Sequence, residues 1–200
     1  MQGIFPTAYF GSIAYFQELV RFTEISIEVK DHFPKQTFRN RCSILSPQGS
    51  LRLTVPVEKT GGSKTPTESI LVSGNQDWRR NHWRAIMSAY ASAPYFDHYG
   101  MDIRRLIESD YPSLIALNTE ITHYFLAAFG FEVNIGFTDA FLADYLTNDF
   151  RSKEYDSEFP EGFTNIPYKQ VYFGREAFVP NQSVLDLLFC EGPMGRKQLL

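Results

Sequence analysis

The pattern of hydrophobic and polar positions in the first 30 residues predicts a strand, a helix and a second strand. Residues 3–6 form a short apolar strand that its own proline interrupts. From Tyr9 onward, apolar side chains recur at helical spacing, which is typical of one buried helix face. Residues 25–29 then alternate between apolar and polar positions, which predicts a half-buried strand. Because parallel strands place ligands at their carboxyl ends, we expect the turn at residues 5–9 to lie at such an end.

The next part of the chain predicts an antiparallel hairpin. Residues 38–45 and 51–57 are strand-like and are separated by Pro47-Gln48-Gly49-Ser50, a run that is typical of a turn. Residues 58–69 contain two adjacent glycines and a proline among polar residues, and this composition predicts a loop.

Capping residues, glycines and prolines mark the elements of the remaining chain. Asn75 or Asp77 is the expected cap of a helix that Pro94 ends, and Ser183 begins the last helix, which Gly192 terminates. The other predicted helices cover residues 95–109, 112–129 and 138–146, and the other predicted strands cover residues 70–72, 131–135 and 168–173.

This order of elements predicts one α/β domain spanning residues 1–200. The expected architecture is a mainly parallel, Rossmann-like sheet flanked by helices, with an antiparallel hairpin. An α+β fold is the alternative, because residues 38–57 are antiparallel in this prediction.

Composition and charge limit the classes of partner. The chain has 44% hydrophobic residues and a net charge of −4, which does not favour charge-driven binding of a nucleic acid duplex. Its apolar runs are too short for membrane insertion, and its start lacks the features of a signal peptide, so we expect a cytoplasmic protein. Cys42 and Cys190 are far apart and do not have metal-ligand spacing, so free buried thiols are expected.

The most unusual stretch is Lys35-Gln36-Thr37-Phe38-Arg39-Asn40-Arg41, which holds three cations and two amides around one aromatic residue. Arginine matches carboxylates and phosphates with a fork of donors, and amides both donate and accept. The stretch therefore predicts a site for a small anion. The alternative is an edge strand that its charges keep soluble.

His82 is the candidate acid–base residue. It lies four residues after Trp78 on a largely apolar helix face, so it is either a hydrogen-bonded core histidine or an imidazole facing a ligand pocket.

Two further features have both a structural and a functional interpretation. Ser183 and Asp186 have the spacing of a helix capping box, and catalysis is the alternative role. Residues 148–165 are polar and irregular, which predicts either a lid or a disordered insertion.

The chain lacks the common motifs of cofactor and metal chemistry. It contains no glycine-rich phosphate loop, no G-x-S-x-G elbow and no H-E-x-x-H pair. We therefore expect no metal and no cofactor.

Several blocks together resemble the WbqC-like protein family. They span almost the whole chain in the order found in that family: residues 7–10, 35–41, 53–57, 78–82, Tyr90 with residues 93–96, Tyr168 with Gln170, and 180–193. Many members begin with Gln-Pro-x-Tyr-Leu-Pro, where this chain has Phe5-Pro6-Thr7-Ala8-Tyr9-Phe10. They often carry paired acidic residues after the second strand, where this chain has Glu28-Val29-Lys30-Asp31, so it resembles a divergent, compact member. The resemblance implies a role in the biosynthesis of lipopolysaccharide O-antigen or another surface polysaccharide.

Two functional hypotheses follow from the residues and the resemblance. The first is a group transferase that acts on an activated sugar or a related anionic precursor, such as a nucleotide-activated one. In that hypothesis His82 is the acid–base residue, and the substrate-binding residues are Tyr9, Lys35, Arg39, Asn40, Arg41, Trp78, Tyr95, Tyr168, Gln170, Asn181, Ser183 and Asp186. The second is a non-catalytic binding or assembly protein of the same pathway. Convergence of the cations, His82 and Gln170 in one concave pocket favours the first.

Overall fold

The computed structural model describes residues 2–34, 36–59, 61–75, 77–143, 148–155, 157, 160, 162–164, 166–172 and 177–200. Its strands are β1 (Gln2–Phe5), β2 (Glu24–Ile27), β3 (Arg41–Ser46), β4 (Gly49–Thr54), β5 (Val57–Lys59), β6 (Ile70–Val72) and β7 (Asn134–Phe137). Its helices are α1 (Ile13–Leu19), α2 (Asp77–Tyr90), α3 (Phe96–Glu108), α4 (Leu114–Ala128), α5 (Val184–Glu191) and α6 (Arg196–Leu199). Short 3₁₀ turns cover Gly62–Lys64, Thr67–Ser69 and Gly192–Gly195.

A three-stranded parallel sheet in the order β1-β2-β7 is the centre of the fold. Phe5 lies opposite Ile27, and Ile27 lies opposite Phe137, so the three strands end level with one another. The predicted strand–helix–strand beginning is therefore confirmed, and the turn after β1 does lie at the carboxyl end of a parallel strand.

Helix α1 begins at Ile13, four residues later than the hydrophobic pattern suggests. Ser12 is its N-cap and accepts a hydrogen bond from the Tyr15 amide at 3.4 Å. Phe10 has a φ of +42°, a left-handed conformation that a right-handed helix cannot contain.

The antiparallel strands form two separate pairs and do not extend the parallel sheet. β3 pairs with β4 as the sequence predicts, and Gly49 at the turn has a φ of +98°. β5 pairs with β6. The fold is thus mixed α/β, with a small parallel sheet and antiparallel pairs. The larger Rossmann-like sheet is not confirmed.

Two predicted elements are absent from the described residues. Residues 138–143 are not helical, because the Thr138 hydroxyl, which would cap such a helix, donates instead to Glu28 Oε1 at 2.8 Å. Residues 168–172 pair with no strand, because side-chain hydrogen bonds from Tyr168 and Gln170 hold them against α5. Residues 144–147 and 173–176 lie outside the described part of the chain.

Aromatic side chains build most of the core beneath the sheet edge. Phe5 stacks on Phe150 with ring centroids 4.5 Å apart, and Tyr15 meets Tyr155 edge-on at 5.2 Å. These contacts join β1 and α1 to residues 150–155. In the described ranges no helix is both long and apolar enough to cross a membrane.

Gly192 ends α5 in a conformation that only glycine adopts easily, and this predicts an effect on stability. Its φ is +57°, and an added Cβ would lie 2.5 Å from Tyr95 Cε1. We expect Gly192→Ala to lower the free energy of unfolding by about 2 kcal/mol or more, measured by urea denaturation.

The matched control for this experiment is Gly74→Ala. An added Cβ at Gly74 meets no atom within 4 Å, so we expect almost no change. Equal stability of the two variants would contradict the predicted clash.

Candidate functional site

The carboxyl ends of the parallel strands carry a buried polar cluster centred on Glu28, just after β2. Glu28 is 4% exposed. Its Oε1 accepts hydrogen bonds from Thr138 Oγ1 at 2.8 Å and from the Lys30 amide at 2.8 Å. Its Oε2 lies 3.4 Å from Arg151 Nη1. Because open α/β sheets bind ligands outside these strand ends, this edge is the first candidate site.

Arg151 ties three segments together at this edge. It binds Asp149 Oδ2 at 2.6 Å and the Leu142 carbonyl oxygen at 2.8 Å, and it also lies against Glu28. The adjoining backbone pairs with β1, since the Phe150 amide donates to the Ile4 carbonyl at 2.8 Å. The beginning of the stretch predicted as a lid or an insertion is therefore held in place. Residues 156, 158, 159, 161 and 165 lie outside the described part.

The basic segment predicted to bind an anion crosses the same edge. The Asn118 amide donates both to the Arg39 carbonyl, at 2.8 Å, and to Thr7 Oγ1, at 2.9 Å. Arg39 Nη2 lies 3.4 Å from the Arg151 carbonyl oxygen. Asn40 is buried, and its amide donates to the Val55 carbonyl at 2.9 Å, which closes the base of the hairpin. Lys35 lies outside the described residues.

Arg41, Asn181 and Ser183 meet at a small cavity of about 40 Å³. Asn181 has a φ of +48°; its Oδ1 accepts from the Ala14 amide at 2.9 Å, and its Nδ2 donates to the Tyr155 carbonyl at 3.0 Å. Ser183 Oγ donates to the Phe10 carbonyl at 2.8 Å. Both side chains therefore join the beginnings of α1 and α5, while Arg41 supplies the positive charge of this cavity.

The Cys42 thiol also lines this cavity, but its environment does not favour a nucleophile. Burial raises the pKa of the thiol, so it stays protonated at neutral pH.

The start of α5 has no free amide for an anion in its first turn. The Val184 amide donates to the Gly11 carbonyl at 2.9 Å, the Leu185 amide to Ser183 Oγ at 3.3 Å, and the Asp186 amide to the Ser183 carbonyl at 2.9 Å. These three amides are therefore not available to bind an anion.

His82 lies in a buried cluster with two other predicted site residues. The Tyr9 hydroxyl is 2.9 Å from His82 Nδ1, and the Trp78 ring meets the imidazole edge-on at 5.1 Å. Burial lowers the pKa of His82 to about 4. A hydrogen bond to the Thr54 backbone has the opposite effect on this pKa but is the smaller of the two. The imidazole is therefore neutral, and it has hydrogen-bond partners in the Tyr9 hydroxyl and the Thr54 backbone.

Tyr168, Gln170 and Asp186 form a second buried cluster. Asp186 Oδ2 accepts from the Tyr168 hydroxyl at 2.5 Å and from Gln170 Nε2 at 3.0 Å. Burial raises the pKa of Asp186, and hydrogen bonds from Tyr168, Gln170 and Tyr90 oppose this shift. Ser183 caps α5 as the sequence predicts, but Asp186 faces this cluster and the Ser183 amide donates to the Ser43 carbonyl, so the capping box is incomplete.

The described site residues therefore lie in separate places. Tyr95 packs against Gly192 near the end of α5, and its amide donates to the Phe189 carbonyl at 3.0 Å. Arg39 lies at the sheet edge and Arg41 at the small cavity beside the start of α1, whereas His82 and Gln170 belong to different buried clusters. The structure does not bring these four groups into one concave pocket.

Sequence reasoning missed a larger cavity of about 430 Å³ between α1 and α6. None of the predicted site residues lines it, and its walls come from segments far apart in sequence. Tyr155 lines both this cavity and the small one beside Arg41, so the two are neighbours. Sequence reasoning also missed Glu28 as a site residue, although its place after the second strand was a usable signal.

Within the described residues, no group of three or more His, Cys, Asp or Glu side chains is arranged to hold a metal ion.

Comparisons with known proteins gave two matches. Residues 7–144 match the sequence model of the WbqC-like protein family. The chain is also 26% identical over 213 residues to "Uncharacterized protein Rv1507c" of Mycobacterium tuberculosis (strain ATCC 25618 / H37Rv), a match that covers 92% of this chain and 88% of that protein. No solved structure gave a significant match.

The buried neutral His82 predicts a pH dependence of stability. Its folded pKa of about 4 lies below the ordinary value of 6.5, so the unfolded chain binds one more proton between these pH values. The contribution of His82 to stability is complete above pH 6.5 and falls by about 3 kcal/mol as the pH drops to about 4. Urea denaturation at several pH values measures this slope.

We expect His82→Gln to remove this part of the pH dependence, whereas His98→Gln, at an exposed histidine, leaves it in place. An unchanged acid slope in His82→Gln would mean that the imidazole is not held neutral.

The Asp186 cluster predicts a difference between two substitutions. Asp186→Leu leaves the buried Tyr168 hydroxyl and Gln170 amide without their acceptor, so we expect a loss of about 2–4 kcal/mol in urea denaturation. Asp186→Asn keeps a carbonyl oxygen for both donors, so its loss should be much smaller. A leucine variant as stable as the wild type would show that these donors do not depend on Asp186.

Proposed function

The chain belongs to the WbqC-like protein family, and we propose that it acts in surface-polysaccharide biosynthesis by binding an anionic, activated sugar precursor. The proposed chemistry is that of a nucleotide-activated sugar, whose phosphates carry negative charge and whose sugar carries hydroxyl groups. The proposal places the protein in the cytoplasm, where such precursors are made.

One observation carries the proposal. The arginine-rich segment crosses the carboxyl ends of the parallel strands at Arg39, and Arg41 lines the small cavity beside the start of α1. Ligands of open α/β sheets bind at this position, and arginine forms paired hydrogen bonds with phosphate oxygens. Arg39 and Arg41 are two residues apart in sequence. Side-chain hydrogen bonds from Asn40 and Asn118 hold the segment that carries them in place.

The geometry supports binding more directly than acid–base catalysis. Both nitrogens of His82 already have partners, and the Cys42 thiol is protonated in a buried setting. Group transfer in this site would therefore depend on positioning the activated precursor beside an acceptor. A non-catalytic binding or assembly protein of the same pathway is the second candidate, and the buried, engaged state of His82 favours it.

A binding experiment tests the proposed anion site. We expect a UDP- or GDP-activated sugar, present well above its dissociation constant, to stabilise the protein by about 2–4 kcal/mol in thermal denaturation. Arg39→Ala and Arg41→Ala should each weaken binding by about tenfold or more, because each removes charge-assisted hydrogen bonds. Isothermal titration calorimetry measures the dissociation constants.

Arg105→Ala is the matched control. Arg105 is an exposed arginine that pairs with Asp102 on α3, away from this edge. If no activated sugar stabilises the wild type, or if the Arg39 and Arg41 variants bind as well as the Arg105 variant, the proposed site is wrong.

A further inference from the structure

Strand β7 forms an open edge of the parallel sheet. It pairs with β2 on one side, and no strand in the described ranges pairs with its other side. The opposite edge is covered, because the Ile4 amide on β1 donates to the Asn148 carbonyl at 2.9 Å and the Ile4 carbonyl accepts from the Phe150 amide at 2.8 Å. Natural proteins usually cover an edge strand or protect it with charge, proline or a bulge. The four residues of β7, Asn-Ile-Gly-Phe, include neither a charge nor a proline.

The backbone of β7 offers free hydrogen-bonding groups at this edge. The Asn134 and Thr138 amides donate to carbonyls of the neighbouring chain at β2, at 2.9 Å and 3.1 Å. Because successive residues of a strand direct their backbone groups to alternate sides, Ile135 and Phe137 direct theirs away from β2. The open edge therefore presents the amides and carbonyls of two residues to a further strand.

The side chains near this edge are apolar and exposed. Phe137 lies opposite Ile27 in the strand register, so the two side chains are on the same face of the sheet. Ile27 is 4% exposed, whereas Phe137 is 47% exposed because it lies at the rim of that face. Phe141 and Leu142, a few residues further along the chain, are 49% and 51% exposed. A further strand beside β7 would cover Phe137.

The edge is complementary to a second copy of itself. If two β7 strands pair antiparallel about a two-fold axis at Gly136, Ile135 of each copy lies opposite Phe137 of the other. These two residues are the ones whose backbone groups are free, so both copies satisfy each other. The pairing also sets a β-branched side chain against an aromatic one, which is a favourable cross-strand contact.

The acidic residues beside β7 are compatible with this pairing. In the same register Glu132 lies opposite Ala140 of the other copy, and Asp139 lies opposite Val133. Like charges directly opposite each other would destabilise the pair, and this register contains none.

We propose that β7 is a self-association surface through which two copies of this chain form one continuous sheet, with three strands from each copy. The strands of the two copies run in opposite directions, so their carboxyl ends lie at opposite edges of the joined sheet. The surface is therefore separate from the anion site proposed above, and neither proposal depends on the other.

A cysteine substitution tests the register. The nearest atom that an added Cβ at Gly136 meets, the Ile25 carbonyl oxygen, is 3.7 Å away, so Gly136→Cys fits the fold. In the dimer the two introduced thiols face each other with their Cα atoms about 4.5 Å apart, a separation that a disulfide spans. Under mild oxidation we expect Gly136→Cys to give a covalent dimer on a non-reducing gel. The native Cys42 and Cys190 are buried, so the wild type should give none.

Asn134→Cys is the matched control for the cross-link. Asn134 is exposed on the same face of β7 as Gly136, but in this register its counterpart in the other copy is about 14 Å away. Cross-linking of Gly136→Cys that is no stronger than that of Asn134→Cys would contradict the proposed register.

Light scattering after size-exclusion chromatography tests the dimer in solution. We expect a mass of about 46 kDa, twice the 23.0 kDa of one chain, at a protein concentration of about 0.1 mM. Phe137→Lys puts a charge at the edge and should raise the dissociation constant of the dimer by about tenfold or more. Phe137→Leu keeps an apolar contact and should remain dimeric. Met101→Lys, at an apolar residue of α3 that is 60% exposed, is the matched surface control.

Circular dichroism separates loss of the dimer from loss of the fold. Because Phe137 is half-exposed, Phe137→Lys should keep the spectrum of the wild type. A wild type that is monomeric at about 1 mM, or a dimer that Phe137→Lys weakens no more than Met101→Lys does, would overturn the proposal.

Discussion

The junction between the first helix and the last long helix is the contact on which the small cavity beside Arg41 depends. The Ile13 amide donates to the Gln182 carbonyl at 3.0 Å, and the Val184 amide returns a bond to the Gly11 carbonyl at 2.9 Å. Phe10 and Asn181, which flank this exchange, both have positive φ. Such backbone costs about 1–3 kcal/mol for a residue other than glycine, and the hydrogen bonds of the junction offset it. Strain of this kind is concentrated at functional sites, which agrees with the position of the small cavity.

The residue types that look most reactive in the sequence mainly satisfy one another inside the fold. His82, Tyr9 and the Thr54 carbonyl form one closed hydrogen-bonded set, and Asp186, Tyr168 and Gln170 form another. Buried polar groups must find partners, and groups that bond to one another are not available to a ligand.

Local patterns predicted much of the architecture. Alternation and helical spacing identified β1, β2 and the β3–β4 hairpin, and cap residues located α2 to α5 to within a few residues. The predictions for residues 138–143 and 168–172 were wrong because Thr138, Tyr168 and Gln170 bind buried carboxylates far away in sequence. A pattern of neighbours in sequence contains no signal for such a partner. The same limit applies to the cavity between α1 and α6, whose lining residues are spread from Ala14 to Leu200.

The sequence alone was enough to identify the class of fold, the family and the arginine-rich segment, because short runs of neighbouring residues carry the signal for each of them. Only the tertiary structure decided what those residues face. Strand order placed Glu28, Thr138 and Arg39 at one edge, burial made His82 neutral, and the helix junction placed Arg41, Asn181 and Ser183 around one small cavity. Burial and hydrogen-bond partners depend on contacts between distant parts of the chain, and these contacts exist only after the chain has folded.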